Sequence, residues 1–162
     1  MSQSLKMRRS MGKIAVTGFV MVTMSWTAHA QQPVETPWVD TAQSRIRLVA
    51  GNDPSQQGVR VILVEMQLQP SWKTYWRMPG DAGIPPSFDW AGSENLGPVE
   101  VRYAAPSIFI DQGGTTIGYK TAVTFPVYAR PPDAEAPTRV KVELAFGICR
   151  EVCIPVEAKL SL

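Results

Sequence analysis

Apolar and polar residues in this chain alternate with a period of two, not with the three-to-four spacing of a helix. Val64, Met66 and Leu68 interleave with Glu65, Gln67 and Gln69. Val140, Val142, Leu144 and Phe146 interleave with Lys141, Glu143, Ala145 and Gly147, and Val156, Ala158, Leu160 and Leu162 with Glu157, Lys159 and Ser161. Period two sets one face of a segment against a core and leaves the other in water, so each run predicts a strand. Further strands are expected over Ser44–Ala50, Ser87–Trp90, Val99–Ala104 and Tyr119–Tyr128. The 14 prolines and 12 glycines cut the chain into short pieces, and no window sustains a helical period. About seven or eight short strands separated by such turns predict an all-β, immunoglobulin-like antiparallel β-sandwich forming a single domain.

The first 30 residues break this pattern. Lys6, Arg8, Arg9 and Lys13 precede an apolar run from Ile14 to Trp26, and Ala28-His29-Ala30 supplies a small-x-small cleavage site. This is the layout of a secretory signal peptide, with cleavage expected after Ala30. The apolar run falls short of the roughly 20 residues a membrane-spanning helix needs, so no stable membrane span is expected. Residues 31–42, with Pro33 and Pro37, read as a leader into the folded part, residues 43–162.

Export changes the charge balance. The whole chain carries 16 Lys+Arg against 14 Asp+Glu, but four of the basic residues lie in the signal. That leaves 12 against 14, a net charge of −2. Nothing strongly basic remains to bind nucleic acid. The single histidine, His29, departs with the signal as well. The mature chain therefore has no Ser-His or Cys-His catalysis and no imidazole metal ligand. No cofactor is expected.

Against this background the two cysteines stand out. Cys149 and Cys153 sit between the last two predicted strands. If Arg150, Glu151 and Val152 close a hairpin, the two face each other across the ladder, where opposed Cα atoms lie ~4.5–5.5 Å apart. That suits a disulfide, whereas a helical i, i+4 pair holds its Cβ atoms too far apart. An exported protein meets conditions in which such a bond forms. A bond closing so short a loop stabilises the fold by only about 2 kcal/mol on the chain-entropy estimate. The spacing leaves three readings open: a structural staple in a non-enzymatic secreted binding module, an exchangeable redox pair, and a Cu(I) site in which Met66 or Met78 joins the thiolates. The Cys-x3-Cys spacing is not the Cys-x-x-Cys of thioredoxins, and no βαβ pattern surrounds it.

A resemblance narrows these readings. Four stretches carry it: Ser71-Trp72-Lys73-Thr74-Tyr75-Trp76-Arg77, the run from Gly80 to Trp90, Ile117-Gly118-Tyr119-Lys120, and Cys149-x3-Cys153-Ile154-Pro155-Val156-Glu157. Together they resemble the N-terminal periplasmic domain of the thiol:disulfide interchange protein DsbD, most closely its ScsB branch. The resemblance implies an immunoglobulin-like fold and a periplasmic location. It implies that Cys149 and Cys153 pass electrons between thioredoxin-like proteins, as a protein-disulfide reductase component linked in the family to cytochrome c maturation and copper tolerance. By the same resemblance Cys153 matches the cysteine that forms the intermolecular mixed disulfide, and Cys149 its partner. A cap loop shields the pair in the family, and the matching stretch is Ile108–Asp111, with Phe109 and Asp111 as candidate cap residues. No transmembrane helices and no thioredoxin-like module follow in this sequence. Either a separate membrane protein is expected to supply the electrons, or the sequence is a fragment or a stand-alone relative whose role has drifted.

The aromatic segment has two readings of its own. Trp72, Tyr75, Trp76 and Trp90 serve either as core packing or, for Trp72 and Trp76, as a contact surface for a thioredoxin-like partner.

Overall fold

The computed structural model describes residues 34–53, 57–111 and 114–162. Residues 1–33, with the expected signal peptide, its cleavage site and the start of the leader, lie outside the described residues. Eleven strands carry the fold: β1 (Val39–Asp40), β2 (Ser44–Gly51), β3 (Arg60–Leu68), β4 (Lys73–Gly80), β5 (Ser87–Asp89), β6 (Val99–Val101), β7 (Ser107–Asp111), β8 (Gly114–Lys120), β9 (Ala122–Ala129), β10 (Lys141–Cys149) and β11 (Cys153–Ser161). They pair antiparallel into two sheets, one in the order β1-β2-β3-β9-β6, the other β11-β10-β4-β8-β7 with β5 added along β10. The result is the expected all-β immunoglobulin-like sandwich.

The period-two pattern becomes the core. Val64 and Met66 on β3, Phe125 and Val127 on β9, and Leu144, Phe146 and Ile148 on β10 are almost wholly buried, while Lys141 and Glu143 point outward. Phe125 is fully buried, with the rings of Phe88, Tyr103 and Tyr119 edge-on to it at 5.5, 5.3 and 5.9 Å. Burial, with Tyr103 alongside, pushes the Tyr119 phenol up to about 12, so its hydroxyl stays a donor to the Ala104 carbonyl at 2.8 Å.

β1, inside the expected leader, and β4 are strands the sequence did not predict, β6 ends at Val101 short of the expected Ala104, and two further departures bear on the site. The strand expected over Tyr119–Tyr128 is two strands in different sheets. Thr121, in left-handed backbone at φ 66°, turns the chain from β8 in one sheet to β9 in the other. Ser71, at φ 70°, performs the same crossing from β3 to β4. The second departure is the stretch expected as a cap loop, which is strand β7 paired along β8 from Ser107↔Gly118 to Asp111↔Gly114. The stretch is an edge strand held by ladder hydrogen bonds to β8.

Candidate functional site

Cys149 ends β10 and Cys153 begins β11, and the ladder sets them directly opposite each other. Their Cα atoms are 4.1 Å apart and a disulfide joins them. Arg150, Glu151 and Val152 form the connecting loop, closed by the Arg150 N–H donating to the Val152 carbonyl at 3.1 Å. The alternation on β10 and β11 sends Val142, Leu144, Phe146, Val156 and Ala158 into the core. The cysteines, an odd number of residues away, fall on the opposite face of the sheet. The disulfide is therefore no part of the inter-sheet core.

Its two ends differ in access. Cys153 is exposed, whereas Cys149 is 2% exposed. Pairing continues from Cys149 to Lys73 on β4 and from Lys73 to Lys120 on β8. Cys153, Cys149, Lys73 and Lys120 thus form one cross-strand row on the outer face, and two ammonium groups stand on the Cys149 side. Lys73, almost wholly buried, donates to Thr116 Oγ1 at 3.0 Å. The Phe109 ring receives both cations, with Lys120 Nζ 4.6 Å and Lys73 Nζ 5.6 Å from its centroid.

Cys149, Lys73, Lys120 and Phe109 line a cleft of about 360 Å³, together with Ser71, Ile108, Ile110 and Arg150. Two apolar side chains on it are open to water, Ile108 at 68% exposure and Ile110 at 83%, and so is Val152 at the tip of the cysteine hairpin, at 65%.

Tyr75 on β4 completes the site. Its ring is buried, and its hydroxyl lies 3.4 Å from Cys153 Sγ. In the disulfide the sulfur carries no proton, so the phenol is the donor. A neutral disulfide sulfur accepts weakly, and a thiolate accepts strongly, so this bond tightens when the pair is reduced.

The residues singled out from sequence divide accordingly. Cys149 and Phe109 line the cleft, and Cys153 is joined to Cys149 by the disulfide. Asp111 closes β7, and its side chain lies outside the described residues. Trp72 is buried in the core cluster, and its ring stacks under Arg150 with the guanidinium carbon 5.4 Å from the ring centroid. Trp76 packs half-buried against the same core, its indole N–H without an acceptor. Core packing is what the structure gives both tryptophans. Met66 is buried in the sheet that does not carry the cysteines, which removes it from any copper site, and Met78 lies exposed on β4. Among the described residues no cluster of three or more His, Cys, Asp and Glu could hold a metal.

Tyr75, Ile108, Ile110 and Val152 carry site geometry that the sequence reading did not assign. The uninterrupted apolar run Ile108-Phe109-Ile110 was the available signal, since on a strand it cannot turn all three side chains to one side.

Among the described residues no helix is long and apolar enough to cross a membrane. No curated protein matches the chain. Among solved structures, the N-terminal periplasmic domain of ScsB from Proteus mirabilis superposes with a TM-score of 0.67 at 29% identity, over 81% of this chain and 51% of that one. The chain thus spans about half the length of that relative. The GAE domains of GGA2p and GGA1 from yeast align at TM-scores of 0.44 with 10% and 8% identity, over 80% of this chain and 97% and 98% of theirs. The family model for the N-terminal domain of the thiol:disulfide interchange protein DsbD matches residues 45–162. With that match over most of its length, the chain belongs to the family of DsbD N-terminal domains.

Proposed function

We propose that this protein is an exported periplasmic electron carrier, its signal peptide cleaved after Ala30, that passes reducing equivalents through the Cys149–Cys153 pair between thioredoxin-like proteins. A membrane electron-transporting protein supplies them. The observation that carries this reading is the asymmetry of the disulfide: an exposed sulfur-bearing residue, Cys153, and a buried one, Cys149, on the outer face of the sheet.

In the reducing half-reaction a partner's thiolate attacks Cys153 Sγ. The bond to Cys149 breaks and its electron pair leaves on the Cys149 sulfur, beside the Lys73–Lys120 row. The partner's second thiolate then attacks the partner's own sulfur in the mixed disulfide, releasing Cys153 as a thiolate that Tyr75 stabilises. Two electrons have moved, the partner holds a disulfide, and the new thiolates take protons from water as their pKa values dictate. The same steps in reverse reduce the next acceptor. No histidine is required, because the attacking thiolate comes from the partner. Ile108, Ile110 and Val152 supply the apolar contact that orients it.

The direct test mixes the oxidised protein with a reduced thioredoxin-fold dithiol protein and follows both partners by intact mass. Reduction of this protein with matching oxidation of the partner is expected. A disulfide that stays intact when the dithiol is present in large excess overturns the proposal and leaves a structural staple.

Tyr75→Phe probes the thiolate. A hydrogen bond to a charged group contributes about 1.5–3 kcal/mol and one pH unit is about 1.4 kcal/mol. The pH midpoint for alkylation of Cys153 in the reduced protein is therefore expected to rise by about one unit in the variant. An unchanged midpoint would remove Tyr75 from the site.

A further inference from the structure

Tyr75 lies on the outer face of its sheet, where a ring normally chooses among several rotamers. Here a segment of chain lies over it. Between β4 and β5, residues Asp81–Ile84 are fastened at both ends. At one end Asp81 is tied to Thr115 on β8, just past the turn of the β7–β8 hairpin. Its backbone N–H donates to the Thr115 carbonyl at 2.9 Å, and its Oδ2 accepts the Thr115 N–H at 2.8 Å. At the other end the Ile84 carbonyl accepts the Gly147 N–H at 3.0 Å. That contact fills the gap on β10 between its pairing with β5 over 143–145 and with β4 over 148–149.

Across the middle of this strap, Gly83 rests on the tyrosine. A Cβ placed on Gly83 would stand 2.4 Å from Tyr75 Cε1 and 2.5 Å from Cδ1 and Cζ, and the residue sits at φ +118°. Both the backbone conformation and the absence of a side chain are therefore needed for the ring to lie where it does. The hydroxyl-to-sulfur distance of 3.4 Å leaves little slack before the bond is lost.

We infer that Asp81–Ile84 is a positioning strap for the redox site, in which Gly83 presses Tyr75 into the orientation that keeps its hydroxyl on Cys153 and Asp81 anchors the strap to the β7–β8 hairpin. Asp81 and Gly83 are positioning residues that act through Tyr75. The inference rests on the proposal that Cys153 is the exchanging sulfur.

Two opposite signs make it testable. Asp81 carries negative charge, so if it acted on the thiolate only through its field, deleting it would stabilise the thiolate and lower the alkylation midpoint of Cys153. Loss of the anchor acts the other way, since a looser Tyr75 donates less well. The experiment measures that midpoint site by site, by mass spectrometry on the reduced full-length protein, for Asp81→Ala, Asp81→Asn and Gly83→Ala. Each is measured with Tyr75 and with Tyr75→Phe.

Asp81→Ala is expected to raise the midpoint by about half a unit with Tyr75 present, part of what the charged hydrogen bond supplies, and not to raise it in the Tyr75→Phe background. Asp81→Asn, whose amide oxygen still accepts from Thr115, restores the wild-type midpoint or falls below it. Gly83→Ala raises it further than Asp81→Ala. Should Gly83→Ala fail to fold, the two Asp81 variants decide alone. A midpoint lowered by Asp81→Ala, or raised equally in both backgrounds, overturns the inference. The measurement needs no partner protein, so an inert disulfide in the exchange test would refute the electron-carrier reading while this result still decided the role of the strap.

Discussion

Cys149→Ala is expected to accumulate a stable mixed disulfide through Cys153 with a thioredoxin-fold partner that keeps only its attacking cysteine, activated as a thionitrobenzoate adduct, whereas Cys153→Ala is expected to accumulate almost none. The contrast follows from access. An incoming protein reaches Cys153, which is exposed, whereas Cys149 is buried. Cys153 displaces thionitrobenzoate from the partner's sulfur, and with Cys149 and the partner's second cysteine both absent no internal thiol on either side can attack the mixed disulfide, so the adduct persists. Both variants lose the same short-loop bond, whose loss costs about 2 kcal/mol, so a difference between them reports on chemistry and not on folding. Separation of adducts on a non-reducing gel, followed by mapping of the joined peptides, checks it. Equal trapping by the two variants would contradict the assignment of roles.

Phe125→Ala is expected to destabilise the fold by about 3–5 kcal/mol. The ring is fully buried at the centre of the sandwich, and three aromatic neighbours from both sides of the core lose their edge-on contacts with it. Against a total of about 5–15 kcal/mol for a domain, such a loss moves the urea midpoint strongly. The site lies on the outer face of the other sheet, so the fraction that remains folded should exchange disulfides as the parent does. A loss below about 1 kcal/mol would show that the core closes around the gap.

Much of the architecture is legible in the sequence because burial on one face leaves a period-two trace. β3, β10 and β11 announce themselves in this way, and the opposition of Cys149 and Cys153 follows once a hairpin joins the last two. Elsewhere the trace fails for physical reasons. Thr121 breaks a continuous apolar stretch by crossing between sheets, and nothing in its identity signals φ 66°. β4 carries Lys73, Thr74 and Tyr75 buried in succession, since its outer face is covered by the Asp81–Ile84 strap and the β7–β8 hairpin. Two-sided cover erases alternation. β7 fails in the opposite sense: Ile108 and Ile110 are apolar yet exposed, so hydrophobicity there does not mark the core.

The site was legible in its chemistry and not in its surroundings. The cysteine pair stands alone in the chain, while the approach of the Tyr75 hydroxyl to Cys153 depends on a glycine lying over its ring from another part of the sequence. Trp72 and Trp76 illustrate the reverse case, since their size marks them equally as core or contact. The crossing at Ser71 places Trp72 in the core cluster.

The reduction potential of the Cys149–Cys153 couple tests the electron-carrier account most directly. Equilibration with glutathione or thioredoxin of known ratio measures it. An exchangeable pair belongs between about −270 mV, the value of thioredoxin, and about −120 mV, that of a strong periplasmic oxidant. A value below about −300 mV, where structural disulfides of secreted proteins lie, would contradict the account.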